Sequence, residues 1–251
     1  MPLPSLRLFG PSKAHGSMHH GGSADRQARS SDTMKPVLTR GFPLAATPSF
    51  PVDSAALGQD WRGQVLPWLE DQLPKPRLAH SLRVEAMAVD LAQHHGLDPV
   101  KAAQAGLMHD LAKYYPAEKL LAMAQQAGLE IDPVDEANPH LLHADVSALV
   151  AQQTLGITDP EVLAAIANHT LGRPAMSPLS CVVFLADTLE PGRGKSDDLK
   201  RLRRLSYRHL PQAVYQTCDY TFAHLINKAK PIHPRALNTR NWFLSQHRTK
   251  S

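Results

Sequence analysis

KAAQAGLMHDLAK, residues 101–113, reads as one face of a buried helix that ends on two polar residues. Ala102, Ala103, Ala105, Gly106, Leu107 and Met108 are small or apolar and suit close packing against neighbouring helices. His109 and Asp110 follow at once. The preceding Asp98-Pro99 supplies an N-cap and an N1 proline, so the helix is expected to run from there to about Ala112.

The same punctuation recurs on either side. A first helix fits Asp60–Gln72, halting before Pro74 and Pro76. A second fits Arg77–His95 and stops at Gly96. Pro116–Gln126 stops before Gly128, and Pro139–Leu155 before Gly156. Asp159-Pro160 opens a helix to His169, and Ser177-Pro178 opens one to Leu189. Two or three more helices are expected over 196–247. No period-2 alternation of strand type is found, nor a repeat of constant period. The fold class expected is all-α, with a single helical domain over residues 55–247.

Residues 1–50 are different. They are rich in Pro, Gly and Ser with no sustained apolar period, so they are expected to form a disordered tail. This segment holds six Lys/Arg and two Asp, which accounts for the whole net charge of +4. The remaining residues carry 21 basic and 21 acidic groups. The basic excess therefore gives no reason to expect nucleic-acid binding by the folded part. No apolar run approaches the roughly 18–20 residues that span a bilayer, so no membrane association is expected. Cys181 and Cys218 lie in apolar helical surroundings without C-x-x-C spacing; core packing and a reducing cytoplasm fit them best.

The polar residues inside apolar helices carry the chemistry. Cys181–Ala186 is apolar all round, and Asp187 follows in the last turns of that helix. A carboxylate there needs a partner, because burial and the helix C-terminus both disfavour its charge. Something cationic should meet it. His80 sits in the first turn of a helix that continues with Leu82, Val84, Ala86 and Met87. One His, a His-Asp pair and a distant Asp, all on buried helices, form a mixed N/O ligand set suited to iron, manganese or zinc. His143 and His169 extend the pattern. Either could complete a second metal position or reach a substrate phosphate.

The ordered series His80…His109-Asp110…Asp187 resembles the signature of the HD superfamily of metal-dependent phosphohydrolases. Its finer likeness is to the YqeK-type branch, the bacterial symmetrical bis(5′-nucleosyl)-tetraphosphatases. The likeness is carried by Arg77-Leu-Ala-His80-Ser81-Leu-Arg83-Val84, Ala105–Lys113, Leu141-Leu-His143 and Ala165–Gly172. It continues through Phe184–Arg193 and Ile232-His233-Pro234 with Arg240-Asn241. The resemblance implies an HD-type helical domain that cleaves diadenosine tetraphosphate to two ADP with metal-activated water. It implies metal ligation by His80, His109, Asp110 and Asp187, with iron foremost and one or two ions per chain. Catalytic roles are expected for Asp110, His143 and His169.

The nucleotide is expected to contact His80, Arg83, Lys113, His143, His169, Thr170, Gly172, Asp187 and Arg193, and the loop residues Pro234, Arg235 and Asn238. Arg83, three residues after His80, should reach the site, and Arg193 should clamp a phosphate in bidentate fashion. Lys113 reads equally as a phosphate contact or a solvated lysine. Thr170 and Gly172, at a helix end, should let backbone and hydroxyl approach a phosphate. A homodimer is plausible from the resemblance alone. The alternatives left open are another HD phosphohydrolase, such as a nucleotidase or nucleoside-triphosphate hydrolase, and a non-catalytic nucleotide-sensing module.

Overall fold

The computed structural model describes residues 57–248. The expected tail over residues 1–50 lies outside the described residues. Those described form eleven α-helices joined by short connections, and no strand occurs among them. The helices are α1 (Leu57–Gln72), α2 (Lys75–His94), α3 (Pro99–Met108), α4 (Ala117–Gln126), α5 (Pro133–Ala137) and α6 (His143–Leu155). They continue with α7 (Pro160–Asn168), α8 (Pro178–Leu189), α9 (Asp197–Arg208), α10 (Leu210–Asn227) and α11 (Pro234–Arg248). No helix among the described residues is long and apolar enough to cross a membrane.

The expected caps are in place. Asp98 accepts hydrogen bonds from Val100 N and Lys101 N, Asp159 from Glu161 N and Val162 N, and Ser177 from Ser180 N. Proline in each first helical turn removes a donor that would have no partner there. The same logic corrects the start of α2. It begins at Lys75 and carries Pro76 in its first turn, where Arg77 had been expected to open it.

Two ends differ for a reason that matters to the site. The helix expected to reach Ala112 stops at Met108, and residues 109–114 wind on as tight turns. Leu111 N and Lys113 N bond to the carbonyls of Met108 and Asp110, three residues back instead of four. Apolar periodicity continues through Leu111 and Ala112, which are buried, so the pattern alone could not show this tightening. Likewise the helix expected over Pro139–Leu155 is a 3₁₀ turn over Pro139–Leu142 followed by α6.

α8 forms the centre of the described domain. Leu179 through Ala186 are buried without exception, and the helix touches α2, α3, α7, α9 and α10. α2 and α3 pack closely because Gly106 presents no side chain. A Cβ there would lie 3.0 Å from Glu85 Cα and 3.2 Å from Ala88 Cβ. The turn after α3 is pinned to α6 by Ala112 N donating to Ser147 Oγ at 3.0 Å, both buried. Cys181 and Cys218 are free, buried core residues, and burial pushes both thiols up to about 12.

Gly172 follows α7 at φ +63°, and a Cβ would stand 2.6 Å from Thr239 Cγ2 on α11. Thr239 in turn donates to the Leu171 carbonyl at 3.0 Å. Gly172 is therefore where α11 docks on the α7–α8 connection, not an open backbone approach for phosphate as the sequence suggested. Gly172→Ala is expected to destabilise the fold by about 1–3 kcal/mol through positive-φ strain, and more if Thr239 cannot yield. Denaturant unfolding of the two proteins side by side measures it.

Candidate metal centre

Five structural elements deliver polar side chains to one buried point. α2 brings His80, the turn after α3 brings His109 and Asp110, and α6 brings His143 in its first residue. The end of α7 brings His169 and the last turns of α8 bring Asp187. His80, His109, Asp110, His143 and His169 are each 5% exposed or less, while Asp187 is partly buried.

Three of these histidines share one local device. His109, His143 and His169 each place Nδ1 against the carbonyl three residues earlier, at Gly106 (2.8 Å), His140 (2.6 Å) and Ile166 (2.8 Å). A carbonyl only accepts, so each Nδ1 carries the proton and each Nε2 carries a lone pair. His80 reaches the same state differently, with Nδ1 3.0 Å from Glu190 Oε1.

All four Nε2 atoms then face carboxylates. Asp187 Oδ1 lies 3.0 Å from His80 Nε2 and 3.8 Å from His109 Nε2. Asp110 Oδ2 lies 3.0 Å from His109 Nε2 and 3.9 Å from His80 Nε2. Its other oxygen lies 3.3 Å from His143 Nε2 and 3.6 Å from His169 Nε2. The Nε2 atoms of His143 and His169 are themselves only 3.1 Å apart. Lone pairs meeting lone pairs at such distances repel unless a cation lies among them.

Two atoms bear this out: His109 Nε2 and Asp110 Oδ1 are buried with no hydrogen-bond partner. An orphaned acceptor in a protein interior costs about 1–3 kcal/mol. The donor set therefore fits a metal ion. Donor atoms within 4.8 Å of one another form two groups, His80/His109/Asp110 and Asp110/His143/His169, with Asp110 common to both.

The electrostatics follow the same geometry. Burial would raise the Asp110 carboxyl, but His109 beside it, with the His143 and His169 rings facing its other oxygen, holds it well below the usual range. Burial likewise opposes the charge on Asp187, and His80, His109, His169 and Arg193 outweigh it. His109 is raised, the Asp110 and Asp187 carboxylates overcoming its burial. His143 goes the other way, down to about 4, because burial is joined by repulsion from His169 and Lys113.

The cations around the cluster are only partly those the sequence suggested. Lys113 is no solvated surface lysine: its Nζ lies 3.0 Å from His143 Nε2, and burial lowers its pKa. Arg193 touches Asp187 twice, through the main-chain carbonyl at 2.8 Å and Oδ1 at 2.5 Å, and remains 39% exposed. Thr170 Oγ1 stands 3.2 Å from His143 Nε2.

Arg83, expected to reach the site, instead grips Glu190 at 2.6 and 3.2 Å and stands one layer outside it. The α2 face that carries His80 inward turns Arg83 toward the start of the 3₁₀ turn over Pro191–Arg193. Arg235 is similarly engaged, paired with Asp145 at 2.9 and 3.3 Å. Together with Pro234 and Asn238 it lines a separate polar cavity beside Glu130, Asp132 and Asp135, one to which no residue of the metal cluster contributes.

Two residues of the site were not singled out from the sequence. Glu190 is 1% exposed and its carboxyl is held down to about 2. Burial opposes this, but Arg83 and His80 prevail. It fixes the His80 ring, as a carboxylate behind a metal-binding histidine does. Arg77 donates to Asp110 Oδ2 at 2.7 Å. Its position three residues before His80, hence on the same helix face, was the available signal.

A cavity of about 360 Å³ opens beside the cluster. Asp187 of the cluster lines it with Thr170 and Thr188, and Leu171, Phe184, Cys218, Phe222 and Leu225 supply apolar walls. His140, Asn138, Lys230 and His233 add polar groups at intervals.

Comparison with known proteins agrees with this arrangement. The HD domain family matches residues 77–192. Among curated proteins, the chain is 34% identical to a symmetrical bis(5′-nucleosyl)-tetraphosphatase of Bacillus subtilis, over 73% of this chain and 98% of that protein. A protein of the same name from Staphylococcus aureus is 32% identical over 69% of this chain and 90% of its own length. Among solved structures, a "predicted HD superfamily hydrolase involved in NAD metabolism" from Clostridium acetobutylicum is 35% identical. It superposes with a TM-score of 0.71, covering 74% of this chain and 97% of that one. Helical fold, donor set and likeness over nearly the full length of these relatives converge, and the chain belongs to the HD-domain family that includes the symmetrical bis(5′-nucleosyl)-tetraphosphatases.

Proposed function

We propose that the protein hydrolyses diadenosine tetraphosphate symmetrically, releasing two ADP. The observation that carries this reading is the acceptor-only His/Asp cluster whose Asp187 also lines an apolar cavity. The cluster calls for a cation, and the cavity lies within the roughly 300–1,000 Å³ range of small-molecule sites. A nucleoside in the cavity brings its phosphates past Thr170 and Asp187 to the cluster.

His80, His109, Asp110 and Asp187 would hold one ion. Asp110, His143 and His169 offer a second position that shares the Asp110 carboxylate, consistent with two-metal phosphohydrolases. Iron is the metal we infer, with manganese and zinc as the alternatives that analysis of anaerobically purified protein separates. When bound, the metal lowers the pKa of water from 15.7 toward about 7 and polarises a phosphoryl oxygen.

The chain's own residues do the rest. Lys113 and Arg193 offset the charge of a polyphosphate that would otherwise repel an anionic nucleophile. Glu190 holds the His80 ring by its Nδ1 proton, and Arg77 holds Asp110 by Oδ2. Thr170 presents a hydroxyl toward the phosphates, and the walls of the cavity exclude water from the base.

The test is incubation of the metal-replete protein with diadenosine tetraphosphate and chromatography of the products. ADP alone is the expected result. AMP together with ATP rejects symmetrical cleavage, and no turnover beside hydrolysis of other nucleotides rejects the substrate while keeping the HD site.

A further inference from the structure

A substrate with two nucleosides needs two places for them, and the apolar cavity provides for one. Arg77, Lys113 and Tyr114 adjoin the cluster, yet none of them lines that cavity. Arg77 and Lys113 reach Asp110 and His143 directly, at 2.7 and 3.0 Å. Tyr114 neighbours the Arg77 guanidinium and is 55% exposed.

The neighbouring tyrosines divide their tasks. Tyr115 packs against the hydrophobic core, with Lys119 Nζ 3.5 Å above its ring. Tyr114, in the tight turn after α3, is left exposed instead. Val100, Ile226 and Leu237 are also exposed large apolar residues, but Tyr114 alone among these four is aromatic and neighbours Arg77, which touches the cluster. Isolated apolar residues on a surface need no explanation. An aromatic ring beside an arginine that touches a polyphosphate site has the parts of a nucleotide platform, since bases stack on aromatic faces and phosphates pair with guanidinium.

We propose that Arg77 and Tyr114 receive the second half of the substrate, the nucleoside diphosphate that departs. Arg77 takes one of its phosphates, and the Tyr114 ring stacks on its base. This rests on the dinucleotide reading above and adds a residue that distinguishes two-nucleoside from one-nucleoside substrates.

The test compares diadenosine tetraphosphate with adenosine 5′-tetraphosphate, which has the same four phosphates and one nucleoside. Tyr114→Ala is expected to lower kcat/KM for the dinucleotide on the order of ten-fold, chiefly through KM, the size of a lost base stack. For adenosine tetraphosphate the change should stay within about two-fold. Tyr114→Phe, which keeps the ring, should retain the wild-type preference; a role confined to the hydroxyl would make Phe behave like Ala and overturn the stacking assignment. An equal effect of Tyr114→Ala on both substrates, or none on either, overturns it as well. The wild-type control separates the two levels. ADP from the dinucleotide with an unmoved preference in Tyr114→Ala defeats the platform alone, whereas no ADP from the wild-type protein defeats the dinucleotide reading and the platform with it.

Discussion

Asp110→Ala is expected to abolish hydrolysis and metal binding together. Asp110 is the one residue common to both groups of donors, and its two oxygens face different histidine pairs. Its removal leaves each group short by one ligand and frees Arg77, which then stands unpaired against the cluster. Without the ion, water keeps its own pKa of 15.7 instead of about 7, so a loss of at least about 1,000-fold in kcat follows. Elemental analysis alongside the assay decides the matter. Near wild-type turnover in protein free of metal would sink the assignment, while the unfolding transition shows that the variant is folded.

Chelation should lower thermal stability by a large amount as well. In the metal-free protein, four histidine lone pairs and two carboxylates converge, and among the described residues Arg77, Arg193 and Lys113 offset them. An ion that binds only the folded state at 100 to 1,000 times its Kd adds about 3–4 kcal/mol. For a domain of this size that corresponds to a fall in Tm of roughly 5–15 °C when the ion is stripped. Asp110→Ala provides the control, since a variant unable to hold metal has nothing to lose to the chelator. A wild-type Tm indifferent to both chelation and metal return counts against a metal at this point.

Many of the helices were readable because they open on a cap and a proline, as at Asp98-Pro99, Asp159-Pro160 and Ser177-Pro178, or close at a glycine, as at Gly96, Gly128 and Gly156. The cluster was readable because His80, His109, Asp110 and Asp187 stand among residues that have no reason to tolerate them except burial with a partner. What escaped depends on distance along the chain. Glu190 follows a helix end where an acid is ordinarily solvated, and only the fold shows that α2 covers it. Gly172 looked free to approach a ligand because Thr239, which closes on it, comes 67 positions later in the sequence. Arg235 was read as a nucleotide contact although Asp145, from α6, already occupies its guanidinium. The end of α3 escaped for a local reason: apolar periodicity persists while the hydrogen bonds tighten beneath it.

That tightening has a consequence for how the site tolerates change. His109, His143 and His169 are oriented by main-chain carbonyls of their own helix ends, which no side-chain substitution can take away. Each is a prefabricated part, complete within four residues, and assembly of the centre amounts to docking finished pieces. His80 is the exception, since its orientation is borrowed from Glu190, 110 positions away. Among the four histidines, mutational drift that alters the centre without dismantling it has a single soft corner to act on, and it lies at Glu190.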